Sequence, residues 1–225
     1  MYTEGGKDTW ALLGLLAEHR ALPLPRETAY AKLWPDLDPA GDRDTFWKPM
    51  RDARTRLVQA LGGGQAGPQV IQKLGRSSYR VNAGFFTFDV WELRDALKAA
   101  RMAGGADKVC ALTSAVEKYV GTYLPGCDYE FARNAALALE REVVDALAQL
   151  ADLSEPEAAV LHLERATCID PTAEHLCRQR MEMNARLGRV AAVHHCYQEL
   201  AHVLEGLQLR PASQTEEVYR RLTRT

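Results

Sequence analysis

Apolar residues near the start of the chain recur with a helical period. Between Asp8 and His19, the residues Leu12, Leu15, Leu16 and His19 share one face, and Asp8 or Thr9 is available as N-cap. Within the stretch Arg26 to Trp34, Thr28 through Leu33 are predicted as a second short helix, ended by Pro35 because proline disfavours helical geometry in the residue before it. The run Asp36-Leu37-Asp38-Pro39-Ala40-Gly41-Asp42 is too rich in Asp, Pro and Gly to continue that helix. Phe46, Met50, Ala53, Leu57 and Leu61 then return every three or four residues, which predicts a third helix stopped by Gly62-Gly63-Gly64. Val70 to Leu74 and Tyr79 to Val81 predict two short strands around Gly75-Arg76-Ser77-Ser78. Helix, helix, helix, hairpin is the order of a winged helix-turn-helix.

From Asp89 onward the pattern is helical throughout. Turn signals fall near Gly104-Gly105, Gly121 to Gly126, Ser154-Glu155-Pro156, Asp170-Pro171, Gly188 and Pro211. Ala159, Leu163, Ala166 and Pro171 carry the offsets of the second helix of a tetratricopeptide repeat, and Val193 and Tyr197 lie 34 residues beyond Ala159 and Leu163. The second copy is degenerate, and other helical hairpins remain compatible with it. The fold class expected is therefore mainly α, a winged helix-turn-helix over 1–87 followed by a tetratricopeptide-like domain over 88–225.

Composition agrees with a folded chain: 225 residues, 47% hydrophobic and 26% charged, with a mean hydropathy of -0.28. The absence of a long apolar run and of a basic-then-apolar start predicts a cytoplasmic protein with no membrane partner. Five cysteines, at 110, 127, 168, 177 and 196, never form C-x-x-C and are expected to be small buried residues in a reducing compartment.

Charge changes the picture more. The formal net charge is -2, yet residues 43–80 hold eight basic against two acidic residues, a net of +6. Residues 91–225 hold 16 basic and 20 acidic residues, a net of -4. Such asymmetry suggests a nucleic-acid module joined to a protein-facing one. On the wheel of the third helix, Lys48, Arg51, Thr55 and Gln59 lie opposite the apolar stripe, and Arg54 and Arg56 flank it. Lys48, Arg51 and Thr55 are thus candidates for base-edge or neighbouring phosphate contact, and Arg43, Arg54, Arg56 and the hairpin-tip Arg76 for phosphates. An ordinary amphipathic surface helix would share this pattern.

Several motifs together resemble a known family. Leu33-Trp34-Pro35-Asp36 with Asp38-Pro39, Arg56-Leu57, Ala60-Leu61-Gly62 and Ser78-Tyr79-Arg80-Val81 resemble the response-regulator type of winged helix in SARP-class transcriptional activators. Tyr123-Leu124-Pro125-Gly126 with Asp128, Leu139-Glu140-Arg141, Leu163-Glu164-Arg165-Ala166 with Asp170-Pro171, Leu187-Gly188-Arg189, Tyr197, Leu204-Glu205-Gly206-Leu207 and the stretch Pro211 to Tyr219 resemble the bacterial transcriptional activation domain that follows it. The resemblance implies a regulator that binds double-stranded promoter DNA, forms a homodimer on direct repeats, and contacts RNA polymerase through the loop between the second and third helices. That loop here holds Asp36, Asp38 and Asp42; on the residues alone it equally reads as a solvated turn. Three departures stand out: no small sheet precedes the first helix, Pro49 lies in the segment of the recognition helix, and Arg54 replaces an apolar core residue.

No catalytic or cofactor chemistry is expected. Gly62 to Gly67 lacks the Lys-Ser/Thr of a phosphate-binding loop, and no G-x-S-x-G occurs. His194-His195-Cys196, with His162, Cys168 and His202, shows no metal-ligand spacing. The competing class is a protein-interaction adaptor whose winged helix no longer reads DNA. The path of residues 44–60 around Pro49 separates the two.

Overall fold

The structure, a computed structural model, describes residues 6–38, 43–63 and 69–224. Its elements, in chain order, are α1 (Lys7–Glu18), β1 (Leu24–Pro25), α2 (Arg26–Leu33), α3 (Arg43–Ala60), β2 (Ile71–Leu74), β3 (Ser78–Val81), α4 (Asp89–Met102), α5 (Gly105–Glu117), α6 (Glu130–Asp152), α7 (Pro156–Ile169), α8 (Glu174–Arg186), α9 (Val190–Gly206) and α10 (Ser213–Thr223). Two compact units are present. One comprises Met1–Glu92 with Gly121–Leu139, the other Leu93–Val120 with Glu140–Thr225, so neither is contiguous in sequence.

The first unit is a winged helix. Leu12, Leu15, Leu16, Leu24, Phe46, Met50, Ile71 and Tyr79 are its large, fully buried side chains. β2 and β3 form the expected hairpin, with Ile71 opposite Val81 and Leu74 opposite Ser78. A third strand was not expected: Leu24 pairs with Tyr79 and Pro25 with Ser78, giving a sheet of order β1-β3-β2. Proline is tolerated there because β1 is an edge strand, where its missing N–H leaves no ladder bond unmade. Two residues are too few to show a period-two pattern.

α1 departs from its expected amphipathic form. Every residue from Ala11 to Ala17 is buried, because the segment after Gly121 covers the face away from the sheet. Tyr123 donates its hydroxyl to the Gly14 carbonyl at 3.3 Å, and the Leu124 side chain packs directly on Gly14, where a Cβ would displace it. Trp91 Nε1 donates to the Ala17 carbonyl at 2.7 Å. The N-cap is Gly6, with no side-chain cap bond, in place of Asp8 or Thr9.

α3 buries Phe46, Met50, Ala53 and Leu57, as its spacing requires, but Leu61 lies beyond the helix and is exposed. The helix closes with Gly63 N donating to Val58 O and Gly62 N to Gln59 O, both at 3.0 Å. Gly62 and Gly63 have φ of 82° and 79°, left-handed geometry that glycine adopts without a Cβ clash.

In the second unit α7 packs on α8, α8 on α9, and α10 on both α8 and α9. Ala159, Leu163 and Ala166 are buried, and Val193, the counterpart of Ala159 in the next repeat, is buried as well. Cys177, Met181, Val193, Cys196, Leu200 and Leu204 form a core on which Tyr197, Val218, Tyr219 and Leu222 pack. Tyr197 and Tyr219 stack at 4.1 Å and 9°. Arg165 Nη2 donates to the carbonyls of Val116 at 2.6 Å and Tyr119 at 2.8 Å, satisfying acceptors at the end of α5. Cysteine burial was expected throughout, yet Cys110 and Cys168 are exposed and only Cys177 and Cys196 are buried.

Candidate nucleic-acid interface

Pro49 falls past the first turn of α3, and the helix runs unbroken across it. The ring is buried beside Met50, so proline is held in place by packing although it has no N–H to give to the Thr45 carbonyl. Its usual cost in a helix interior, about 3 kcal/mol, is offset only in part by that burial.

The outer face of α3 presents Lys48, Arg51, Thr55 and Gln59, all exposed. These positions are three or four residues apart and therefore form one row. Thr55 Oγ1 donates to the Arg51 carbonyl at 3.0 Å, which orients the hydroxyl along the helix. Asp44 is exposed near the start of α3 and Asp52 is half-exposed beside the row, so the cationic face is not uniform. Arg43 begins the helix, but its side chain lies outside the described residues, as does Asp42.

The flanking arginines are engaged by the protein itself. Arg54 Nη2 donates to the Ile71 carbonyl at 3.3 Å, and its Nε is buried without a partner. Its stem fills the place of an apolar residue while its head ties α3 to the hairpin, which is how a long cation can occupy a core-facing position. Arg56 is half-buried, with its guanidinium over the Trp10 ring at 5.2 Å. Behind α3, Phe46 contacts Tyr30 at 6.1 Å and Tyr79 at 5.3 Å, so its aromatic side chains position the helix against α2 and the sheet.

At the wing, Arg76 is exposed in a turn where Gly75 has a φ of 60°. Lys73 on β2 is also exposed and Arg80 on β3 is half-exposed, two further cations of the same hairpin. Strand alternation in the sequence could have marked Lys73.

Asp36 and Asp38 are exposed in the turn that leaves α2. Trp34, the C-cap of α2, donates Nε1 to Asp8 Oδ2 at 3.4 Å. Asp8 Oδ1 accepts from the Tyr129 hydroxyl at 2.5 Å. Burial and the Asp8 carboxylate push the Tyr129 phenol well above its usual range, so it remains a donor. Lys7 pairs with Asp128 at 2.9 Å and lies 5.9 Å from the Tyr129 ring centre. This cluster joins residues 121 positions apart in sequence, and no local pattern announces it.

Of the histidines and cysteines considered as ligands, Cys168, Cys196 and His202 line one pocket among α7, α8 and α9. His194 Nδ1 lies 2.7 Å from the Tyr219 hydroxyl, His195 faces Glu199 at 3.1 Å, and burial lowers the His162 pKa. Among the described residues no three His, Cys, Asp or Glu side chains are placed to hold a metal. No helix of the described residues is long and apolar enough to cross a membrane.

A three-helix unit with a wing, followed in the chain by stacked helical hairpins, is the architecture of SARP-type transcription regulators. The chain belongs to the bacterial transcriptional activator domain family, whose model matches residues 88–223, and that membership supports a role in activating transcription. Among solved structures it is similar to Mycobacterium tuberculosis EmbR, determined in complex with a low-affinity phosphopeptide: 21% identity and a TM-score of 0.65 over 99% of this chain. The chain spans 60% of the EmbR chain. No curated protein matches the sequence.

Proposed function

We propose that the protein is a sequence-specific DNA-binding transcriptional activator that works in the cytoplasm. The observation that carries this reading is the open row Lys48, Arg51 and Thr55 on α3, flanked by the exposed wing cation Arg76. A helix of this width fits the major groove, where Lys48 and Arg51 can donate to guanine acceptors or adjacent phosphates, and Thr55 to either once its hydroxyl leaves the Arg51 carbonyl. Arg76, with Arg43, Arg54 and Arg56 around the row, is assigned to phosphates; the Ile71 bond of Arg54 gives it a second, structural task. The unbroken course of α3 across Pro49 supports DNA reading over the adaptor alternative. Residues 1–87 form the DNA module in this reading, and residues 88–225 the module for dimerisation and activation. The loop that holds Asp36, Asp38 and Asp42 in the sequence is assigned to RNA polymerase, with Asp36 and Asp38 exposed where it leaves α2.

The test is selection of bound fragments from genomic DNA, followed by affinity against salt for the enriched sequence. Each neutralised phosphate contributes about 0.9 to the slope of log K against log salt. Replacing Lys48, Arg51 and Arg76 by Ala is expected to lower the slope by about 2 to 3. A wild-type protein without salt-sensitive binding to any duplex would overturn the reading.

A further inference from the structure

The Asp8 carboxylate is shared between two distant parts of the first unit. One oxygen accepts from the Tyr129 hydroxyl at 2.5 Å and the other from the Trp34 indole at 3.4 Å. Tyr129 is braced in turn: Lys7 pairs with its neighbour Asp128, and its ring stacks near Phe131 at 6.2 Å. Trp34 is the point from which the chain leaves α2, with non-helical φ and ψ of -140° and 63°. Its ring packs edge-on against Tyr30 at 5.5 Å, and its carbonyl accepts from Leu37 N at 3.1 Å. The direction of the indole thus sets the start of the turn that displays Asp36.

We propose that Asp8 is a positioning residue for the turn Trp34–Asp38, with Tyr129 fixing the carboxylate that fixes the indole. The activator-family region of the chain, which contains Tyr129, thereby shapes the surface that the winged helix offers to polymerase. This rests on the reading of that turn as a polymerase contact. An aspartate in the first turn of a helix is already favoured by the helix dipole, which does not require both oxygens to be engaged by remote donors.

Asp8→Asn keeps the size of the side chain but removes the charge. Tyr129→Phe removes only the hydroxyl and is the milder change. In the full chain, amide exchange at Leu37 is expected to rise about tenfold in either variant, the scale of one lost bond to a charged group. The hairpin amides of Ile71 to Val81 should keep their protection, which a general loss of stability would not allow. Unchanged exchange at Leu37, or a uniform rise across the unit, overturns the proposal. With the selected DNA held at saturation, transcription by bacterial RNA polymerase should fall several-fold while DNA affinity stays within about twofold. Asp36→Ala distinguishes the two layers. Transcription that depends on Asp36 but not on Asp8 overturns the positioning role, whereas a loosened turn with transcription indifferent to Asp36→Ala overturns the polymerase reading alone.

Discussion

Replacing Pro49 by Ala tests whether α3 is held against its own backbone preference. In a helix interior proline is about 3 kcal/mol less favourable than alanine, since it withholds an N–H and crowds the preceding turn. Here it stands past the first turn of an unbroken helix, opposite the exposed row and beside the fully buried Met50. The ring is buried, and truncation to Ala removes two methylenes at about 0.8 kcal/mol each, or roughly 1.6 kcal/mol. The difference leaves Pro49→Ala more stable than the parent by about 1 to 1.5 kcal/mol. Trp10, Trp34, Trp47 and Trp91, all the tryptophans of the chain, belong to the first unit. Urea unfolding followed by tryptophan fluorescence therefore reports that unit selectively. With a slope of about 1 to 3 kcal/mol per molar, the midpoint should rise by roughly half a molar to one molar. A midpoint that falls would refute the reasoning, because ring packing would then exceed the backbone penalty.

Three further outcomes concern the second unit. Gln208 has a φ of 61° at the end of α9, where Leu209 N donates to Leu204 O at 2.8 Å; Gly188 fills the equivalent place after α8, with a φ of 71°. Left-handed geometry costs a non-glycine residue roughly 1 to 2 kcal/mol, so Gln208→Gly should stabilise the unit by about 1 kcal/mol in thermal unfolding followed by circular dichroism. No gain would mean that the Gln208 side chain contributes as much as the strain costs. Burial pushes the Cys177 thiol from 9.0 up to about 12. A raised folded-state pKa gives stability that is complete below the unfolded value and lost as pH rises through the folded one. Cys177→Ala should therefore flatten the alkaline loss of stability between pH 9 and about 12, and an unchanged profile would show that other groups carry it. Native thiol titration should label Cys110 and Cys168, which are exposed, and spare Cys177.

Much of the fold was legible in the chain because it follows from local periodicity. The stripe Phe46, Met50, Ala53 and Leu57 placed α3, and by exclusion placed Lys48, Arg51 and Thr55 in solvent. The 34-residue interval from Ala159 to Val193 located the repeat, and both residues are buried. Legibility failed where an environment came from elsewhere. Arg54 read as a cation flanking the apolar stripe, but nothing in the sequence named the Ile71 carbonyl of the hairpin that receives it. β1 was invisible because two residues gain strand geometry only from pairing with β3.

α1 shows where the division falls. Its helical period and its place in a winged helix could be read directly, since side-chain spacing depends on neighbours three and four positions away. That Ala11 to Ala17 are buried on all sides, and that Asp8 serves Tyr129 in place of capping its own helix, depended on a segment more than a hundred residues downstream. Local spacing alone determined which residues could share a face. Only the tertiary structure decided what each face meets, because burial and hydrogen bonding are properties of the assembled surroundings and sequence distance carries no record of them.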